Sequence, residues 1–311
     1  MEQHQTKPAC RGVIVPLVTP LDARGRLDAG GATKLVERVV AAGCAPFVGG
    51  TTGEAASLAE DTRTGLVEIA VAAAAGAELV YAGIAGNCLE NCLERARRYA
   101  RLGADVAVCH LPAYYPLDEE QMRAWYLRLA DACPLPLMLY NIPATTSLSI
   151  PLPLVEELSR HENVVGMKDS ERDEERMRES AARWRAREDF TLHVGWAARS
   201  AWGVGNGFDG IVPSSANLVP GLYRRLYDAA ARGDAAEAAR LQALTDEIGA
   251  VYQQGRSLGR SLPVLKAMLA ALGVCQPFVA PPLLALPAAE LEAVARVVRE
   301  RWPRYGEAER R

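Results

Sequence analysis

A lysine at the end of an apolar run is the residue of this chain best suited to covalent chemistry. Lys168 stands in "VVGMKDSERD" (164–173), directly before Asp169. A buried ammonium is costly, so such a lysine either escapes to water or is used. At an ordinary pKa near ~10.4, only roughly one molecule in 2,500 carries a free amine at pH 7. Lowering that pKa to ~7 or 8 takes about 4 kcal/mol of differential stabilisation of the neutral form. A site walled by apolar side chains supplies this by desolvation and would make Lys168 a nucleophile toward a carbonyl. Tyr140, in "YNIP" (140–143), carries a hydroxyl able to relay protons at the carbinolamine that such an attack produces. "GGTTGE" (49–54) joins small residues, which let backbone approach a ligand, to the hydroxyls of Thr51 and Thr52 and to N–H groups suited to a carboxylate.

Other signals are weaker. Gly205, Gly207 and Gly210 in "GNGFDG" match the dinucleotide spacing G-x-G-x-x-G, but they precede a strand-like segment, whereas the fingerprint follows a strand and opens a helix. His110 falls near the end of a strand-like segment, where it either contacts substrate or serves the adjoining proline turn. Asp169 should point to the opposite side of its strand from Lys168, in a supporting role. Cysteines at 10, 44, 88, 92, 109, 133 and 275 are odd in number and lack metal-ligand spacing, which predicts reduced thiols and no metal site.

The elements that must position these groups alternate along the chain. Strand-length apolar segments recur at 13–20, 44–50, 78–84, 105–112, 135–143, 164–170, 190–196 and 208–215. They are runs of Val, Ile, Leu and Ala without strict alternation, as in parallel strands covered on both faces. Between them lie amphipathic stretches such as "ATKLVERVVAA", where Leu35, Val36, Val39 and Val40 share a face. Eight such units predict a closed (β/α)8 TIM barrel over 12–219, with a doubly wound open sheet as the competitor. Helical stretches near 222–253, 262–272 and 288–301 predict a C-terminal helical extension over 220–301, leaving 1–11 and 302–311 as flexible tails. In a barrel, reactive groups gather at the C-terminal ends of the strands, and "GGTTGE", "PAYYP", "YNIP", Lys168 and "SSAN" all fall there.

Composition narrows the partners. The 311 residues are 50% hydrophobic, and 35 basic against 38 acidic residues give a formal net charge of −3 with signs interspersed. No basic face suited to nucleic acid is evident, and small molecules are the expected partners. The N-terminus lacks the apolar core of a signal peptide, and the most apolar long window, "VEIAVAAAAGAELVYAGIAG", carries Glu68 and Glu78. The expectation is a cytoplasmic protein with no membrane span.

Taken together, "GGTTGEAASL", "YNIP", "GMKDS" and "GIVPSSANLVP", in this order and spacing, resemble the class I aldolase superfamily of dihydrodipicolinate synthase and N-acetylneuraminate lyase. The similarity runs from about 12 to about 301, because "LPVLKAMLAALGV" and "QPFVAPPL" resemble the family's C-terminal region. It implies a (β/α)8 barrel, a homotetramer built as a dimer of dimers, and no metal or organic cofactor. It also implies that Lys168 forms a Schiff base with pyruvate or another 2-oxo acid, that Tyr140 relays protons, and that Thr51 and Thr52 bind the substrate carboxylate. Gly50, Val212, Ser214 and Thr145 would lie around the substrate. A tyrosine from a neighbouring subunit completes the relay in family synthases, and "AYYP" offers Tyr114 or Tyr115, with Tyr115 favoured.

One departure bears on the substrate. Family synthases carry a carboxylate-binding arginine five positions beyond the tyrosine, where this chain has Thr145. Threonine lacks the charged bidentate fork of arginine. That favours a different second half of the substrate, such as a 2-keto-3-deoxy sugar acid, which the hydroxyls of Ser214 and Ser215 could face. Three readings follow: a Schiff-base lyase or dehydratase for such an acid, a dihydrodipicolinate synthase with another residue in place of the arginine, and a non-catalytic 2-oxo acid-binding protein.

Overall fold

The computed structural model describes residues 10–310. Its eight strands are β1 (Gly12–Pro16), β2 (Ala45–Val48), β3 (Tyr81–Gly83), β4 (Val106–His110), β5 (Leu137–Asn141), β6 (Val164–Asp169), β7 (Thr191–Val194) and β8 (Gly210–Ile211). All pair in parallel with their sequence neighbours, and β8 closes on β1, so the sheet is a barrel and not the open competitor. Nearly every strand residue is buried, which explains the absence of alternation in the sequence: one face packs into the barrel and the other under helices.

Helices follow the strands as α1 (Ala29–Ala41), α2 (Glu60–Ala74), α3 (Leu89–Leu102), α4 (Glu119–Ala132), the short α5 (Pro143–Thr146), α6 (Leu152–Leu158), α7 (Glu174–Trp184), α8 (Ser200–Gly205) and α9 (Pro220–Ala231). Their starts are set locally. Asp28 accepts from Gly31 N–H, Asp118 and Gln121 form a reciprocal capping box, and Asp173 accepts from Arg176 N–H. Such caps satisfy N–H groups that no helical carbonyl reaches. The outer core between strands and helices is mainly aliphatic with buried aromatics such as Tyr99, Tyr126, Trp184 and Tyr223, while a separate inner cluster that includes Ile14, Phe47, Tyr81, Val108, Met138 and Tyr140 fills the barrel.

Three boundaries differ from the sequence expectation. The stretch 222–253 is two helices broken at Gly233, whose φ is +76°. The first of them, α9, packs against α8 and β1 as the eighth helix of the barrel ring, so the ring extends beyond 219. The extension is therefore α10 (Ala235–Gln253), α11 (Leu258–Ala271) and α12 (Ala288–Arg310). Residues 302–310 are helix and not tail, with Tyr305 buried against the core and edge-on to Trp302. At the other end, Cys10 is fully buried and Arg11 pairs with Asp209 at 3.4 Å; residues 1–9 of the expected tail lie outside the described residues. Among the described residues no helix is long and apolar enough to cross a membrane.

Candidate active site

Register decides which side chains meet. His110 pairs with Tyr140, Tyr140 with Lys168, and Lys168 with His193, so four successive strands present one residue each at a common level. Parallel neighbours in register share a face, and these face the barrel interior. Lys168 is 4% exposed, with Nζ 3.8 Å from the Tyr140 ring centroid and 5.2 Å from that of Phe47. Among the described residues it has no carboxylate partner. Aromatic faces hold a cation loosely compared with an ion pair, so the amine is sequestered from water without being committed to an anion.

The loop after β2 brings the hydroxyls. Thr51 Oγ1 stands 3.3 Å from Tyr140 Oη. Within the turn, Gly53 and Ala55 donate to the Gly50 carbonyl and Glu54 donates to that of Thr51, while the N–H groups of Thr51 and Thr52 have no partner among the described residues. Gly49 takes φ +67°, which a side chain would oppose, and a Cβ on Gly50 would meet the Phe47 ring at 2.8 Å. Glu54 locks this loop from behind. Its side chain is fully buried, accepts from Lys266 Nζ on α11 at 2.7 Å, and accepts from Ala280 N–H at 2.7 Å. Burial pulls the Lys266 amine below its ordinary pKa, while Glu54 acts to hold its proton on.

Asp169 points away from Lys168. It accepts from Arg176 Nε at 2.6 Å, from Asn141 Nδ2 at 2.9 Å and from Glu171 N–H at 2.9 Å, tying β6 to β5 and α7. Burial raises its pKa, and the Arg176 charge works against that rise. His110 gives Nδ1–H to the Leu111 carbonyl at 2.7 Å and stands edge-on to Tyr140, centroids 6.0 Å apart. Burial lowers its pKa, which favours the uncharged ring. His193, fully buried at the same level, is pushed down to about 4, chiefly by desolvation.

The mouth has two compartments that share Thr51, Tyr140, Leu258 and Leu262 as a partition. One, of about 470 Å³, contains Lys168 with Thr51, Thr52, Val212 and Ser214. The other, of about 570 Å³, contains Gly50, His110 and Thr145. Gly50 and Thr145 therefore stand across the partition from Lys168, and the Thr145 hydroxyl is turned to the Ile142 carbonyl at 3.4 Å. Ser214 Oγ is 2.7 Å from Tyr252 Oη, and Ser215 Oγ is 2.6 Å from Tyr223 Oη, which ties both serines to the surrounding helices. Tyr114 and Tyr115 lie outside both compartments as an edge-on pair, 77% and 68% exposed.

The sequence profile of the dihydrodipicolinate synthetase family matches residues 9–301.

The chain belongs to the dihydrodipicolinate synthetase family.

A 4-hydroxy-tetrahydrodipicolinate synthase from Methylococcus capsulatus is 32% identical over 291 residues, 93% of this chain and 98% of the relative. Among solved structures, dihydrodipicolinate synthase from Bacteroides thetaiotaomicron superposes with a TM-score of 0.89 at 31% identity, covering 95% of this chain and 100% of that one. YagE, a prophage protein of the family from Escherichia coli determined in complex with pyruvate, gives 0.87 at 26% identity over 94% and 98%. The family's enzymes are lyases and synthases, and the (β/α)8 barrel expected from the sequence is the fold of this member.

Several residues of the Lys168 compartment escaped the sequence reading: Ser170, Glu171, Arg172, Tyr252, Gln253 and Arg256. Glu54 and Lys266 also escaped, although Lys266 carried a readable signal. It interrupts the apolar "LPVLKAMLAAL" much as Lys168 interrupts "VVGMK".

Proposed function

We propose that this chain is a Schiff-base lyase acting on pyruvate or a related 2-oxo acid, reversibly cleaving or dehydrating a 2-keto-3-deoxy sugar acid-like substrate. The observation that carries this reading is the Lys168 amine, 4% exposed and without a carboxylate partner among the described residues, against the ring of a tyrosine whose hydroxyl Thr51 reaches at 3.3 Å. Neutral Lys168 adds to the keto carbon, and Tyr140 delivers the proton to the forming carbinolamine oxygen. Loss of that oxygen as water leaves an iminium. The iminium accepts the electron pair released when the C3–C4 bond breaks, giving an enamine and an aldehyde; loss of a C3 proton and of a leaving hydroxyl gives dehydration from the same intermediate. Tyr140 and Thr51 shuttle the protons, and the unpaired N–H groups of Thr51 and Thr52 suit the substrate carboxylate.

Tyr115 of a neighbouring subunit completes the relay in this proposal, within a homotetramer. The exposure of the Tyr114–Tyr115 pair supports an interface there. The names of the relatives favour a second reading, condensation of pyruvate with aspartate semialdehyde. Thr145, with its hydroxyl engaged by backbone, speaks against that reading.

The test is intact mass and peptide mapping after incubation with pyruvate and borohydride. A reduced pyruvyl group on Lys168 is expected; absence of an adduct with every 2-oxo acid tried would remove the catalytic reading. Turnover of aspartate semialdehyde plus pyruvate, set against a panel of 2-keto-3-deoxy acids, separates the two substrate assignments.

A further inference from the structure

Lys168 shares its compartment with two cations, Arg172 and Arg256. The same two arginines also line an adjoining depression that reaches Asp246, so they stand where the Lys168 compartment opens into a second space. The Thr51–Tyr140 partition, by contrast, borders the other compartment and lines no part of that depression. Both side chains are exposed, and among the described residues neither guanidinium has a carboxylate partner. The bond that Arg256 makes runs from Nη1 to the Val251 carbonyl at 3.1 Å, leaving the rest of its fork open.

The acids nearby are already engaged. Glu171, the carboxylate of the Lys168 compartment, accepts from Asn141 Nδ2 at 2.9 Å and Ser149 Oγ at 2.5 Å, and lies 3.4 Å from Arg176 Nε. Asp246, in the adjoining depression, accepts from Gln242 Nε2 at 2.8 Å. Among the described residues Glu171 is the one acid lining the compartment, against Arg172 and Arg256, so the lining is net positive whatever the charge on Lys168. Two guanidiniums without carboxylate partners lining one compartment are the donor type that a carboxylate or phosphate takes in bidentate fashion.

We propose that Arg172 and Arg256 bind a second anionic group, a carboxylate or a phosphate ester, at the end of the substrate remote from its keto carbon. The proposal rests on the Schiff-base reading for the near end. It assigns the substrate class as a 2-oxo acid anionic at both termini, with Thr51 and Thr52 at one end and the arginine pair at the other. Anion recognition then sits beside the extension helices and not at position 145 after β5.

Borohydride trapping measures this without requiring turnover. For wild type, R172Q, R256Q, R172K and the double Gln variant, the half-trapping concentration is determined for pyruvate and for three matched 2-keto-3-deoxy acids ending in a hydroxymethyl group, a carboxylate or a phosphate. The expected result is that wild type favours at least one doubly anionic compound over the hydroxymethyl one by roughly a hundredfold. That ratio should fall by about tenfold in each single Gln variant and collapse in the double variant, while R172K keeps part of it. Whether the carboxylate or the phosphate arm shows the larger ratio identifies the group. A wild-type ratio near one, or a ratio unmoved by both substitutions, overturns the proposal. Absence of any adduct in wild type instead refutes the Schiff-base reading, so the two failures are distinct.

Discussion

Replacing Lys266 by Met tests how the Thr51–Thr52 loop is held. The Lys266–Glu54 pair is fully buried, so K266M leaves a carboxylate at 0% exposure with Ala280 N–H as its remaining donor. Breaking such a pair from one side costs about 3–5 kcal/mol, because the surviving charge is neither solvated nor paired. Against a total stability of roughly 5–15 kcal/mol, that is a large fraction. In K266M, burial must raise the Glu54 pKa above its unfolded value. Below the unfolded carboxylate range both states are protonated and the penalty is absent; it grows as pH rises through and beyond that range. Urea denaturation of wild type and K266M at pH 5 and pH 8 should therefore give a larger difference at pH 8. E54Q/K266M should recover a substantial part of the loss, since Gln keeps an oxygen for Ala280 N–H and carries no charge. Because Thr51 and Thr52 ride on the same loop, the folded fraction of K266M should also lose roughly 10–100-fold in kcat/KM. A cost below about 1 kcal/mol at pH 8, or one independent of pH, would refute the argument that a desolvated carboxylate anchors the loop.

Two further outcomes follow from the level of residues around Lys168. Y140F keeps the ring beside the amine and removes the hydroxyl proposed as the relay, so turnover should fall by roughly 10²–10⁴ while the fold is retained; a loss of threefold or less would make Tyr140 a packing residue. His193 sits at about 4 in the folded chain against an ordinary 6.5, so its contribution to stability is fully present above pH 6.5 and is lost as pH falls toward 4. The span corresponds to about 3 kcal/mol. H193L should flatten the acid limb of the stability–pH curve, and an acid limb identical to that of wild type would show that His193 does not cause it.

The barrel, its strand count and the residues at its mouth were legible in the sequence because each rests on local information. Parallel strands buried on both faces must be apolar throughout, and helices between them must carry a stripe. A lysine or tyrosine at the end of a strand then falls at the same rim whatever the long-range details. Chain order and the parallel rule therefore bring Lys168, Tyr140 and the Thr51–Thr52 loop to one mouth before any distance is known.

Tertiary structure alone decided the rest. Register put Tyr140 beside Lys168 and turned Asp169 toward Arg176, since a one-residue slip would exchange the two faces. Contacts across more than 200 residues joined Glu54 to Lys266 and Ala280, and no local pattern specifies such a partner. The same packing brought Arg256, beyond the barrel ring, into one compartment with Lys168 and Arg172, while the Thr51–Tyr140 partition set Thr145 apart from them. Periodicity reports which face of an element is buried. What that face meets depends on how the helices of the extension close over the strands, and that is a property of the whole chain.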